Sequence, residues 1–387
     1  MIVRPWALGL IIPVLLALPL TRAWAAPAPA GPPPIQAAAA IVVDASTGTT
    51  LWSRNADAPR PMASVTKLMT LLLAVQAIRL GRVHWHDRVP VSLAAYRTGG
   101  SQIWLEPGER LTLRQMLTAL AVGSANDAAV AVAEFLSGST ANFVAEMNRE
   151  AARLGMRGTH FANPHGLPDV AHYSTARDLA LLGLAAVRHP ALLRLTAQRE
   201  DRTLRNGRGG TLWLINQNRM LRTFPGTDGL KTGYTRAAGF CLVVTALRGH
   251  TRLLAVILGA PTSRQRFVDA TALLNWGFSN FRTRLAVSAD KILGRVAVRR
   301  GRSAWVSAVA LHPLYLTVRR DVSTPLTTEI ALRPVVAAPV RRGQVLGWVT
   351  VAMNGKPVGR VPLIARSGIA AVSWPDLAWR YFWRLVA

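Results

Sequence analysis

"ASVTKLMTLLLAVQAI", residues 63–78, is the stretch whose reading decides the fold. Beyond Thr66 it is almost wholly apolar, so it reads as a helix buried on all sides, from Ser64 to Leu80, with Gly81 as its stop signal. Such a helix belongs at the centre of a domain. Yet it carries Lys67 three residues after Ser64, and residues so spaced share one helix face. An ammonium buried without a partner is costly, and burial drives it toward the neutral amine. A neutral lysine is a competent base, and a serine needs one before it can attack a carbonyl. The core helix therefore also mounts a candidate nucleophile and its base.

Upstream, "AAIVVDASTGTTLWSRN" predicts a hairpin with strands over 39–43 and 49–53 and a turn from Asp44 to Gly48. Downstream, "LTLRQMLTALAVG" predicts a helix ending at Gly123, and Asn126 or Asp127 is placed to cap the next, "AAVAVAEFL". "YSTARDLALLGLAAVRHP" is a further helix, with Thr175 and Asp178 at capping-box spacing. "GFCLVVTALRGHTRLLAVILGA" is a second hairpin turning near Arg248–His250. A hairpin, several helices and then further strands suit an α+β fold, an antiparallel sheet with a helical cluster against it. This first domain is expected over residues 38–283. From residue 284 to 368 the sequence alternates like strands, with Asn354-Gly355 as a hairpin turn, which predicts a smaller all-β domain.

The termini and the charge narrow the setting. Residues 1–25, "MIVRPWALGLIIPVLLALPLTRAWA", have a charged start, an apolar core and an Ala-Trp-Ala cleavage site, the pattern of a secretory signal peptide. A Pro/Ala-rich linker is expected over 26–37. Lys and Arg number 46 against 19 Asp and Glu, a formal charge of +27. Export removes nucleic acid as the partner this charge would otherwise suggest, and leaves anionic lipid and envelope polymers. The last segment, residues 373–387, "SWPDLAWRYFWRLVA", gathers Trp374, Leu377, Tyr381, Phe382 and Leu385 on one helical face and Asp376, Arg380 and Arg384 on another. It is too short to span a bilayer, so it is expected to lie in the interface plane as an amphipathic anchor. Docking on its own domain is the alternative. Cys241 reads as a small core residue. His84 and His86 have no third ligand nearby, so neither a metal nor a cofactor is expected.

Two later phrases lift Ser64 above chance. Ser124 and Asn126 stand as S-x-N in "VGSANDAAV", between two predicted helices, and Lys231, Thr232 and Gly233 stand as K-T-G in "DGLKTGYT", at a strand edge. S-x-x-K, S-x-N and K-T-G in this order resemble the motif triplet of penicillin-recognising serine enzymes. A second S-x-x-K, Ser288 and Lys291, has no partner motif downstream. The surrounding phrases, "VVDASTGTTLWSRNADAPRPMASVTKLMT", "LGMRGTHFANPHGL" and "DGLKTGYTRAAGFCLV" among them, closely resemble the low-molecular-mass penicillin-binding proteins of the D-alanyl-D-alanine carboxypeptidase type. The likeness is strong over roughly residues 38–280 and architectural beyond.

The resemblance implies a serine β-lactamase/penicillin-binding-protein-like fold. It implies a periplasmic enzyme, peripheral to the outer face of the inner membrane, that removes the terminal D-alanine from peptidoglycan stem pentapeptides and is inhibited by β-lactams. Ser64 then matches the acylated nucleophile, Lys67 its base, and Ser124 a proton relay to the leaving amine. Asn126 would bond the substrate's peptide group, and Lys231 and Thr232 its terminal carboxylate. Lys231 would also help keep Lys67 neutral, and Gly233 would let the backbone approach the substrate. The N–H groups of Ser64 and Tyr234 would form the oxyanion hole. His165 fits a loop flanking the site without a chemical step, and Arg219 is a second candidate for the carboxylate. A D,D-endopeptidase uses the same machinery. A class A β-lactamase needs a loop glutamate, and none lies between Glu150 and Glu200. A non-catalytic envelope-binding protein would have no use for the full set of side chains.

Overall fold

The structure, a computed structural model, describes residues 31–205, 210–321 and 325–373. The expected signal peptide, the start of the linker and nearly all of the expected terminal helix lie outside the described residues.

Five antiparallel strands form the central sheet, in the spatial order Thr50–Arg54, Ala39–Asp44, Thr251–Ala260, Gly239–Arg248, Thr227–Thr235. The two hairpins read from sequence supply four of them. The fifth carries the K-T-G residues at the sheet's edge. The middle strands are buried along nearly their whole length, which is why they read as continuous apolar runs instead of alternating ones. Residues of one parity, such as Ile41, Val243 and Val256, join the helical cluster that contains Leu68, Leu71 and Leu72. The other parity, Val42, Leu242 and Ala255, packs against Leu273 and Phe278 of the long helix Ser263–Asn280. Helices thus cover both faces of the sheet.

The opening stretch is not one continuous α-helix. Ala63–Thr66 is a turn of 3-10 helix, and the α-helix is Lys67–Arg79. Ser64 therefore stands on the tighter turn just before the rigid helix. Capping at the next helix also differs from expectation. Ala125 is the N-cap of Asn126–Ser137, and it makes no side-chain cap. Asn126 and Asp127 lie inside the first turn, with their side chains committed to other partners. Thr175 does cap Ala176–Val187, accepting from the Asp178 N–H. The Asp178 carboxylate instead accepts from Gly158 and Thr159.

The strand Phe281–Val287 follows directly on the helix that ends at Asn280, so residue 284 lies inside a strand. It pairs with Leu314–Arg319, and six further strands form a second sheet. In that sheet Val345–Met353 and Lys356–Ala365 are joined through Asn354-Gly355, both at positive φ. This all-β domain has its own core around Val296, Val306, Val349 and Leu363. At the other end Ile35 and Ala37, read as the end of the linker, are buried, and Gln36 and Ala37 donate their N–H groups to Asp269.

Candidate active site

Four segments distant in sequence meet at the 3-10 turn that holds Ser64. The Lys67 side chain is fully buried, and its Nζ has three polar contacts. It lies 2.8 Å from Ser64 Oγ, 2.6 Å from Asn126 Oδ1 and 2.7 Å from the His165 carbonyl oxygen. Asn126 Nδ2 donates to the Gly99 carbonyl oxygen at 2.6 Å, which fixes the amide with its oxygen toward Lys67. Burial first, and the Lys231 charge second, hold the Lys67 pKa well below the usual lysine range, with Asp127 opposing them. A neutral amine has two N–H bonds and one lone pair. Asn126 and His165 take the two N–H bonds, which leaves the lone pair for the Ser64 hydroxyl proton. This is the geometry of a general base on a serine nucleophile.

Ser124 follows a π-helical turn, Ala119–Gly123, and sits in the left-handed region at φ +61. Non-glycine residues seldom adopt it, and such strain gathers at functional sites. The side chain is almost fully buried.

Lys231, Thr232 and Gly233 lie on the edge strand, and all three are buried. Lys231 Nζ donates to the Thr232 carbonyl oxygen at 3.1 Å. Burial, and then the charge of Arg266, bring the Lys231 pKa down to about 7. Gly233 lies close against the backbone of the turn that holds Ser64. A Cβ there would stand 2.8 Å from Met62 O and 3.0 Å from Ser64 N, so only glycine lets the strand press against the Ser64 turn. Tyr234 stacks on Phe240 with ring centroids 4.2 Å apart and remains half exposed.

His165 enters through its backbone. Its carbonyl oxygen meets Lys67, while its ring accepts from the Leu167 N–H, and burial lowers its pKa to about 3. Arg219 is exposed and lines a pocket with Tyr234, Phe240 and Arg266 beside the edge strand. It is absent from the cluster around Ser64.

Three contributors carry no local sequence signal. Arg266, on the long helix, donates to the Gly233 carbonyl oxygen at 3.1 Å and stays cationic at neutral pH although burial brings its pKa to about 10. His172 holds the Ser64 turn from behind, with Nε2 2.7 Å from Thr66 Oγ1. Gly166, at φ +92, packs so tightly on that turn that a Cβ would lie 2.0 Å from Ala63 O. Each is far from the motifs in sequence, and its partner is a backbone atom or a non-motif side chain.

Comparison with known proteins agrees with this arrangement. Residues 26–262 match the family described as D-alanyl-D-alanine carboxypeptidase, peptidase S11. Residues 281–371 match the penicillin-binding protein 5 C-terminal domain. The chain is 36% identical over 332 residues to the D-alanyl-D-alanine carboxypeptidase DacF of Bacillus subtilis, covering 86% of this chain and 85% of that protein. It is 33% identical over 346 residues to DacA of Escherichia coli K12, another D-alanyl-D-alanine carboxypeptidase, covering 86% of this chain and 84% of that one. Among solved structures it is similar to penicillin-binding protein 5 from Haemophilus influenzae, with a TM-score of 0.75 and 30% identity over 88% of this chain and 99% of that one. With a motif-bearing sheet and helices of this fold and an all-β domain after them, the chain belongs to the peptidase S11 family of D-alanyl-D-alanine carboxypeptidases.

Proposed function

We propose that the protein is a serine-type carboxypeptidase that releases the terminal D-alanine from peptidoglycan stem pentapeptides through an acyl-enzyme on Ser64, and that penicillins acylate the same hydroxyl. The observation that carries this reading is the Lys67 amine, sealed from water, with its third contact on Ser64 Oγ at 2.8 Å. Lys67 takes the hydroxyl proton as Oγ attacks the penultimate carbonyl. The Ser64 and Tyr234 N–H groups receive the developing oxyanion. Ser124 passes a proton to the departing D-alanine amine, and water then releases the acyl group. Asn126 bonds the substrate's peptide group. Lys231 and Thr232 hold the terminal carboxylate, and the positive pocket of Arg219 and Arg266 lies beside them. No metal or cofactor enters these steps.

Labelled penicillin is expected to add its mass to the protein and to fail on Ser64→Ala; a mass shift that persists in the variant refutes the nucleophile. Stem pentapeptide is expected to yield free D-alanine. Opening of cross-linked dimers with pentapeptide left intact would identify an endopeptidase instead.

The protein is further proposed to work in the periplasm, held at the outer face of the inner membrane by the amphipathic segment 373–387. Its sequence pattern, an apolar face with Trp374 and Tyr381, arginines on another face and three tryptophans in one short tail, supports this. Deleting residues 373–387 is expected to move the protein from the membrane to the soluble fraction, and retention on membranes would refute the anchor.

A further inference from the structure

A loop after the one-turn helix Leu93–Tyr96 runs beside the active site. The Gly99 carbonyl oxygen accepts from Asn126 Nδ2, and the Ser101 carbonyl oxygen accepts from the Asn126 N–H at 2.7 Å. A Cβ at Gly100 would lie 2.6 Å from Asn126 Nδ2 and 3.4 Å from Leu167, so the loop is pressed against the residues around Lys67. Three residues past Ser101 it presents Trp104 to solvent, 69% exposed and at φ +57.

Two costs are visible here. A bulky side chain is a conformational outlier in the left-handed region, where a loop that only needed to turn would use Gly or Asn. An indole in water also forgoes the stabilisation its burial would bring. Strain of this kind persists only where the surroundings over-determine it. That role falls to Asp127, the residue after Asn126. Its buried carboxylate accepts the N–H groups of Ile103 at 3.1 Å and Leu105 at 3.2 Å. Both flanking side chains are buried in the core, so the residue between them has only the outward direction left. The same helix turn that supplies Asn126 to Lys67 therefore holds Trp104 out, although no step of the chemistry above needs an indole.

We propose that Trp104 is a stacking platform for a pyranose ring of the glycan strand that carries the stem peptide, a subsite separate from the one that holds the D-Ala-D-Ala end. This rests on the carboxypeptidase reading. In that reading the peptide arrives tethered to a sugar whose ring offers a flat C–H face edged with hydroxyls. Indole offers a rigid flat apolar face of matching size, with a single N–H at its rim, at small entropic cost. The setting suits a sugar better than a lipid or a protein partner, which would need continuous apolar surface. In "TGGSQIWLEPGER", residues 98–110, the residues around the buried Ile103 and Leu105 are Gly, Pro and polar or charged types.

The test compares D-alanine release by the full chain from one pentapeptide supplied free and supplied linked to its disaccharide. The ratio of kcat/KM, linked over free, is expected to fall about tenfold in Trp104→Ala, the scale of a tryptophan contact in an interface, with the change in KM. Trp104→Phe is expected to restore most of it. An unchanged ratio, or equal losses on both substrates, overturns the platform. If the unaltered protein releases D-alanine from neither substrate, the carboxypeptidase reading fails by itself. Calorimetric binding of the disaccharide-linked peptide to Ser64→Ala, with and without Trp104→Ala, then decides the platform separately: about tenfold weaker binding supports it, and equal binding refutes it.

Discussion

Lys67 has three polar contacts, and its protonation state decides what they do. As an ammonium it would donate three times and hold Ser64 Oγ as an acceptor, unable to give up its proton. As an amine it donates to Asn126 and His165 and receives from Ser64. Complete burial and the neighbouring Lys231 favour the second state. His172 follows a related logic one turn away. Its Nδ1 accepts from the Ala162 N–H at 3.0 Å, while Thr66 Oγ1 gives its own proton to Ala63 O. The ring therefore carries its proton on Nε2 and donates to Thr66, and a second proton on Nδ1 would face the Ala162 N–H. Burial accordingly lowers the His172 pKa to about 4. The unfolded chain binds that proton near the ordinary value of about 6.5, so between the two values it holds more protons than the folded one. Stability from this residue is complete above about pH 6.5 and is lost as pH falls toward 4, by on the order of 3 kcal/mol. Urea midpoints measured from pH 7.5 to 4 should fall, and fall less steeply in His172→Gln; parallel slopes would contradict the assignment.

The Thr227–Thr235 strand and the Ser64 turn meet backbone to backbone, so Gly233 sets how closely two elements approach. The atoms a Cβ would strike are Met62 O, Ser64 N and Val65 N, none of which can rotate away. Gly233→Ala is therefore expected to displace the strand and to slow penicillin acylation and D-alanine release together, by about a hundredfold for a shift near 1 Å. Overpacking at one site costs about 1–3 kcal/mol, so the fold should survive. Stopped-flow acylation beside a thermal melt checks both halves, and a fast, unaltered acylation rate would disprove the contact. At this scale the sequence was legible where a signal is local. The hairpins, the Gly123 stop, the Thr175 cap and the Asn354-Gly355 turn each rest on a few adjacent residues. It misled where a polar side chain had a distant partner. Asn126 and Asp127 look like caps, but Lys67, Gly99, Ile103 and Leu105 claim them.

Across the whole molecule the catalytic sheet is tied to the all-β domain through buried Asp44. Its Oδ2 accepts from Thr283 Oγ1 at 2.8 Å and Thr317 Oγ1 at 2.9 Å, and Thr47 and Thr317 hydroxyls meet at 2.6 Å. In sequence Asp44 is only the first residue of a hairpin turn. Asp44→Ala leaves two threonine hydroxyls without their acceptor, a loss on the order of 2–4 kcal/mol. Calorimetry should then show the single unfolding transition broadening or splitting, with soluble-peptide hydrolysis preserved, and an unchanged transition would rule the tie unimportant. By itself the sequence determined the hairpins and helices, the helical mount under Ser64, the three motifs and hence the family, because periodicity, turn chemistry and motif spacing are written in neighbouring residues. Only the tertiary structure decided the 3-10 turn at Ser64, the neutral-amine geometry around Lys67, the backing of that turn by His172 and Gly166, the close approach at Gly233 and the outward Trp104. Each depends on burial and on partners tens to hundreds of residues apart, and desolvation and contact distance exist only once the chain has folded.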